Sequence, residues 1–282
     1  MKKFSGFSFV VFSLLLFPLL QVIANPRPGN TLNFNQSWRF HLGDVANGQA
    51  PDLDDAQWRL LDLPHDWSIE GEFSEKHPAG FDGGALPGGI GWYRKTFNLP
   101  LAAKGKSVFV DFDGIYRNSE VWINGHYLGK RPYGYISFQY ELSPYLDFGN
   151  KKNVIAVKVD NSQQPNSRWY SGSGIYRNVW LTTVEQLHVD HWGTYITTPQ
   201  LNETAASVEI ETIVRNSSEA SRSFKLKTIL YDARGKEIAR AESTRDLEKG
   251  AVAKVQEKLA VGHPLLWSID NPYLYKAVSQ VE

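Results

Sequence analysis

The chain has 282 residues, with 30 basic and 30 acidic side chains and no cysteine. Because it shows no basic stripe, its charge pattern is not that of a nucleic-acid-binding protein, and no nucleic-acid partner is expected. Without cysteine there is no disulfide framework, so stability must come from apolar cores. The seven histidines are scattered and show no zinc-binding spacing. No cofactor is expected, and the sequence does not identify a metal site.

The first 24 residues have the composition of a secretory signal peptide. Lys2 and Lys3 provide a positive start, an apolar run follows, and Ala24 is a small residue at the expected cleavage point. An uncleaved membrane anchor is the alternative, since the run approaches the roughly 20 residues that span a bilayer. Pro18 interrupts the run and no stop-transfer charge cluster follows, which favours cleavage. We therefore expect residues 1–24 to be removed and the protein to be exported, to a periplasmic or extracellular location.

Short strands separated by turn residues predict a first domain over residues 25–185. In residues 107–113 and 153–160, apolar and polar side chains alternate, as they do on a strand with one buried face. The pair Asn124 and Gly125 is the strongest hairpin signal, because both residues tolerate the positive φ of a type I′ turn. No long helical periodicity is present. The pattern predicts an all-β jelly-roll sandwich.

A second domain is predicted over residues 186–282. Residues 207–215 and 224–232 alternate in the same way, and their spacing is typical of an immunoglobulin-like β-sandwich. The pattern of Cys and Trp found in antibody domains is absent, so the prediction rests on the strands alone. A further strand pattern is still running at residues 276–282, which leaves open a truncation of this domain at its end.

Asp111 and Asp113 are the most suggestive pair of acidic residues. They lie on one face of a predicted strand, about 7 Å apart at ~3.4 Å per residue, which fits a two-carboxylate hydrolytic mechanism. The alternative is structural, with Asp113 beside Gly114 in turn chemistry and Asp111 paired with a basic residue. The structural interpretation is favoured.

Three aromatic residues, Trp122, Tyr133 and Tyr135, have two interpretations. An aromatic face suits the apolar face of a pyranose ring, so these side chains could stack on sugars. In a sandwich, however, aromatic side chains usually fill the core. Core packing is favoured.

The segment of residues 166–180 has the best claim to function. It follows a polar loop and combines Asn166 and Arg168 with Trp169, Tyr170 and several glycines. Polar and aromatic groups together on a loop are suited to recognising sugar hydroxyls. The alternative is a rigid loop that packs against a neighbouring domain. Both interpretations remain open, and they are compatible with each other.

Several motifs, in this order along the chain, resemble the N-terminal sugar-binding domain of glycoside hydrolase family 2. They are NFNQSWRF near the start, LPHDW at residues 63–67, GWYRKTF at residues 91–97, DGIYRNSEVWINGHYLG and SRWYSGSGIYRNVWL. Residues 265–275, LLWSIDNPYLY, are similar to the end of the family's immunoglobulin-like second domain. The family contains β-galactosidases, β-glucuronidases and β-mannosidases. The sequence as a whole is most similar to the β-galactosidases that gut-type bacteria export.

The resemblance implies that the catalytic machinery lies elsewhere. Members of the family continue into a TIM barrel, roughly 250 residues long, whose two glutamates perform a retaining reaction. It follows that no residue of this chain is catalytic, that a C-terminal barrel is missing, and that the chain alone is inactive. In the family, loops of the first domain contact the terminal sugar. The matching loop is residues 166–171, which makes Asn166 and Arg168 the expected substrate-binding residues. Asp66 also lies in a family motif, where a turn-stabilising role is at least as well supported.

The resemblance therefore predicts the N-terminal, non-catalytic part of an exported retaining exo-β-glycosidase, a β-galactosidase in first place. Its partners would be a terminal β-galactoside or a related carbohydrate and the missing barrel, and a homo-oligomer is compatible with the sequence. The alternative from another class is a stand-alone carbohydrate-binding or adhesion protein built from the same two domains.

Overall fold

A computed structural model describes residues 30–282 of the protein. The predicted signal peptide, residues 1–24, lies outside this range. Within it, regular structure consists of β-strands and three single turns of 3-10 helix: Ser68–Glu70, Leu101–Ala103 and Ser143–Tyr145. No helix in the described range has the length and apolar character needed to cross a membrane. The prediction of an all-β protein built from sandwiches is confirmed.

The first sandwich contains ten antiparallel strands in two facing sheets. Strands β3-β2-β4-β9-β6-β7 form a six-stranded sheet, and β1-β10-β5-β8 form a four-stranded sheet. In chain order the strands are β1 (Asn30–Asn33), β2 (Trp38–Leu42), β3 (Arg59–Leu61), β4 (Gly89–Phe97), β5 (Ser107–Phe112), β6 (Ser119–Ile123), β7 (His126–Arg131), β8 (Phe138–Glu141), β9 (Asn153–Asn161) and β10 (Val179–Val184).

One apolar core holds these two sheets together. Val108, Val110 and Phe112 of β5 point into it, on the face that their alternation predicts, and they are fully buried. Asn124 and Gly125 form the turn between β6 and β7, both with positive φ, as the hairpin signal predicts. Burial of this core is the main source of stability, since the protein has no disulfide.

The second sandwich has two three-stranded antiparallel sheets, β11-β12-β15 and β14-β13-β16. Two apolar clusters join the sheets, one around Leu259 and the other around Phe224. The first sandwich ends with β10 at Val184, and β11 begins three residues later. The strands are β11 (Leu187–Leu201), β12 (Ala205–Asn216), β13 (Arg222–Tyr231), β14 (Glu237–Leu247), β15 (Val252–Gly262) and β16 (Lys276–Val281).

Three separate chain segments meet at one end of the first sandwich. The long connection between β9 and β10, residues 162–178, runs beside residues 63–68, with backbone hydrogen bonds from His65 to Ile175 and from Trp67 to Ser173. Tyr116 N donates to Gly174 O from a third segment. The connection is therefore fixed along its C-terminal half before it enters β10.

Candidate functional site

The connection between β9 and β10 folds around one buried amide. Asn161, the last residue of β9, is 2% exposed. Its Nδ2 donates to Gly172 O at 2.9 Å and to Ser173 Oγ at 2.7 Å. Its Oδ1 accepts from Asn166 Nδ2 at 2.6 Å and from Gln164 Nε2 at 3.0 Å. Since one side chain joins both ends of the loop, residues 161–173 form a closed and preorganised unit. We call this unit the site loop.

The two predicted substrate-binding residues differ in environment. Asn166 is half-buried, and its Oδ1 also accepts from Tyr116 Oη at 3.1 Å and Ser171 Oγ at 3.3 Å. Both the N–H and the C=O group of its side-chain amide are thus hydrogen-bonded to other residues of the site loop. Arg168 is exposed and makes no hydrogen bond or ion pair with any residue in the described range. Its guanidinium is available to a ligand, and substrate binding by either residue remains a prediction.

An exposed row of aromatic side chains borders the site loop. Trp169 Nε1 donates to Tyr135 Oη at 3.1 Å, and the Tyr133 ring meets the Tyr135 ring edge-on at 5.7 Å. Trp169 is 59% exposed, Tyr133 63% and Tyr135 45%. The core-packing interpretation of Tyr133 and Tyr135 is therefore wrong, because both follow β7 on a loop outside the sheets. It is also wrong for Trp122, which lies on the outer face of the six-stranded sheet, opposite the core. We call Trp169, Tyr133 and Tyr135 the aromatic ridge.

Asp66 holds the site loop from the neighbouring segment. Its Oδ1 accepts from Ser68 N at 2.9 Å and Ser173 N at 2.8 Å, and its Oδ2 accepts from Tyr170 Oη. Burial, followed by this hydrogen bond, raises the pKa of Tyr170, so its hydroxyl stays protonated. Gly172 has a φ of 64°, and a Cβ there would overlap Asp66 Oδ2. The family motif in the sequence marked Asp66, but its contact with Tyr170 could not be seen from the residues alone.

The residue before Asp66, His65, lies in a separate network of polar contacts. His65 Nδ1 lies 2.7 Å from Tyr93 Oη in the core. His65 Nε2 lies 3.3 Å from Glu70 Oε1, without the alignment of a hydrogen bond. Glu70 in turn accepts two hydrogen bonds from Arg59, at 2.6 and 2.8 Å. Burial lowers the pKa of His65 more than the neighbouring carboxylate of Glu70 raises it. A neutral imidazole therefore fits this position near neutral pH.

The two aspartates at the end of β5, Asp111 within the strand and Asp113 just after it, are held in structural contacts. Asp111 accepts from Gln139 Nε2 at 2.9 Å and from Thr182 Oγ1 at 3.2 Å, while Asp113 accepts from Trp180 Nε1 at 2.9 Å. This arrangement supports the structural interpretation of both aspartates. Among residues 30–282, no three His, Asp or Glu side chains are grouped as they would be around a metal ion.

The site loop thus presents an exposed guanidinium beside a row of exposed aromatic faces, while its Tyr170 hydroxyl is bonded to the Asp66 carboxylate. The family model "Glycosyl hydrolases family 2, sugar binding domain" matches residues 33–185, and the model "Glycosyl hydrolases family 2" matches residues 187–282. The chain belongs to glycoside hydrolase family 2. The resemblance drawn from the sequence motifs is confirmed.

Family 2 relatives with known names include two kinds of glycosidase. The β-galactosidase BoGH2A of Bacteroides ovatus is 51% identical over 90% of this chain, and a putative β-glucuronidase of Formosa agariphila is 44% identical over 88%. A family 2 structure from Bacteroides cellulosilyticus superimposes with a TM-score of 0.86 at 40% identity over 89% of this chain. The chain spans 30%, 23% and 33% of these three proteins, respectively. The matched region is the part of family 2 glycosidases that carries the sugar-binding domain.

Proposed function

We propose that this chain is the N-terminal, non-catalytic part of an exported, retaining exo-β-glycosidase, and that the intact protein hydrolyses terminal β-galactosides. The observation that carries the proposal is the 51% identity with a β-galactosidase across 90% of the chain. The described residues form two β-sandwiches. The two carboxylates of a retaining reaction, about 5 Å apart, would belong to a separate barrel.

In this proposal the site loop completes a sugar pocket from the side. Arg168 would donate hydrogen bonds to sugar hydroxyls, because a guanidinium offers five N–H donors. The aromatic ridge would offer apolar faces to the rings of the substrate. Asn166 and Asp66 would fix the shape of the loop, and Asp66 would add a carboxylate acceptor at its edge.

A second candidate substrate is a terminal β-glucuronide. The guanidinium of Arg168, which has no partner among residues 30–282, suits a carboxylate, with which arginine forms paired charge-assisted hydrogen bonds. One named relative is a putative β-glucuronidase, at 44% identity. The two candidates differ in the configuration at C4 and in the group at C6, which is a hydroxymethyl in the galactoside and a carboxylate in the glucuronide, so direct competition between substrates separates them.

The test is to assay the full-length gene product with nitrophenyl β-galactoside, β-glucuronide and β-mannoside. We expect the galactoside to give the highest kcat/KM, with retention of anomeric configuration. Preference for the glucuronide or the mannoside would contradict the galactoside proposal. The purified 282-residue chain should turn over none of the three, and measurable hydrolysis by it would contradict its non-catalytic role.

A stand-alone carbohydrate-binding or adhesion protein is the alternative, and the exposed aromatic ridge is the observation that favours it. Reading the DNA beyond the codon for Glu282 separates the two. An open frame that encodes a barrel supports the enzyme. A stop codon, together with measurable glycan affinity of the chain, supports the binding protein.

A further inference from the structure

The outer face of the six-stranded sheet carries a second group of aromatic side chains, away from the site loop. Trp122 of β6 stacks on Trp92 of β4, with ring centroids 5.4 Å apart and an angle of 24° between the planes. Ala156 lies between them on β9 as the register partner of Trp122, and its small side chain leaves room for this stacking. Tyr127 of β7 lies 5.5 Å from Trp122 and is 53% exposed. Trp92 and Trp122 line one side of an open groove. Tyr127 continues the aromatic surface beyond Trp122, just outside the groove.

The opposite wall of the groove is a loop that is fixed in place. Arg94 of β4 is 1% exposed and donates to Gly48 O at 2.7 Å and Ala50 O at 2.9 Å, and it pairs with Asp55 at 2.8 Å. Gly48 lies flat against Trp92, so close that a Cβ would come within 2.7 Å of the indole. The wall is therefore preformed. The groove has a volume of about 430 Å³, within the roughly 300 to 1,000 Å³ of small-molecule sites.

The rim of the groove is polar and electrically balanced. Lys158 pairs with Asp44 at 2.9 Å, and Lys130 lies 3.4 Å from Glu120 Oε1. The side-chain amides of two further lining residues make no hydrogen bond with any residue in the described range; they are Asn47 and Gln49. Since each carboxylate has its own cation, the groove carries no net charge that would favour an ionic ligand. The groups free to bond a ligand are the two neutral amides and the second oxygen of Glu120.

We propose that this groove binds a neutral oligosaccharide. The pyranose C–H faces would rest on Trp122 and Tyr127, because an aromatic face offers a broad apolar contact. The hydroxyls would exchange hydrogen bonds with Asn47, Gln49 and the free oxygen of Glu120. This site uses strands β4, β6 and β7 and no residue of the site loop, so it does not depend on the proposed glycosidase activity. Its effect would be to hold the protein on a glycan chain.

Affinity electrophoresis of the full chain tests the proposal, with gels containing soluble β-galactan, xyloglucan or galactomannan. We expect at least one of these neutral polysaccharides to retard the protein. Tyr127→Ala and Gln49→Ala should each weaken the affinity roughly fivefold to tenfold, the loss expected for one stacked ring or one set of hydrogen bonds. Both residues are on the surface, so folding should be unaffected, which a thermal melt verifies.

Two further variants locate the binding. Tyr195→Ala removes an exposed tyrosine from β11 of the second sandwich, and it should be retarded like the unmodified chain. Trp169→Ala removes the tryptophan of the aromatic ridge, and Tyr127→Ala should weaken the retardation by the same factor in that background as in the unmodified chain. Absence of retardation in all three neutral gels would overturn the proposal, as would retardation by polygalacturonate alone. It would equally be overturned if Trp169→Ala abolished the retardation while Tyr127→Ala left it intact.

Discussion

Asn166 and Arg168 lie two positions apart on the site loop, yet their side chains differ in hydrogen bonding and therefore in the roles they can perform. The Asn166 amide bonds to Asn161 on one side and to Tyr116 on the other. Arg168 exposes a guanidinium that has no partner among residues 30–282. A residue of the first kind sets the shape of a loop, and a residue of the second kind is free to contact a ligand.

Alanine substitution should separate these two tasks. Arg168→Ala in the full-length enzyme should raise KM for the preferred nitrophenyl glycoside about tenfold, the loss of one charge-assisted hydrogen bond, and leave the melting temperature unchanged. Asn166→Ala should lower the free energy of unfolding by about 1 to 2 kcal/mol, because buried partners lose their hydrogen bonds.

The matched control for the first variant is Arg222→Ala. Arg222 is likewise exposed and unpartnered within the described residues, but it lies on β13 of the second sandwich. It should change neither KM nor stability. If Arg168→Ala behaves like Arg222→Ala, the predicted substrate contact of Arg168 does not exist.

At the scale of elements, the strands follow from the sequence and the site loop follows only in part. Alternation identifies the inner face of β5, and Asn124 with Gly125 identifies the hairpin, because both signals act between chain neighbours. The contact between Asp66 and Tyr170 joins residues 104 positions apart. No local pattern encodes such a pairing. The usual burial of aromatic residues in sandwich cores likewise favours core positions for Trp122, Tyr133 and Tyr135, which the structure does not show.

The docking of the site loop depends on the absence of a side chain at residue 172. Gly172→Ala should destabilise the protein by about 1 to 3 kcal/mol, since the new Cβ meets Asp66 and the backbone stays at positive φ. Gly250→Ala is the control, because Gly250 has a similar φ of 67° and open space around it. Urea unfolding of both variants gives the two losses in free energy of unfolding, and their difference is the cost of the steric overlap with Asp66. If both variants lose the same free energy of unfolding, the contact between residue 172 and Asp66 does not limit the size of the side chain there.

At the scale of the whole molecule, two buried histidines make stability depend on pH. Burial lowers the pKa of both His65 and His188 from an ordinary value of 6.5. The unfolded chain therefore binds protons more readily than the folded one, and stability falls as pH falls below about 6.5 until the folded-state pKa values are reached. Above that pH the contribution is fully present.

Thermal melts between pH 5 and 8 check this expectation. The melting temperature should be constant above pH 7 and fall toward pH 5, and the fall should be smaller in a variant with both His65→Gln and His188→Gln. His126→Gln is the control, since His126 is exposed on β7. A double variant with the same pH dependence as the unmodified chain would show that other groups control acid sensitivity.

The three hydrogen bonds accepted by Asp66 also bear on how the site loop could be transplanted into another protein of the family. Moved into a relative without an acidic residue at that position, residues 161–173 of this chain would leave behind the carboxylate that anchors their backbone and Tyr170. Chimeras that swap residues 161–173 alone should therefore lose order in the transplanted segment. Those that carry residues 63–68 along with it should keep the donor's loop geometry. The two segments must therefore be transferred together.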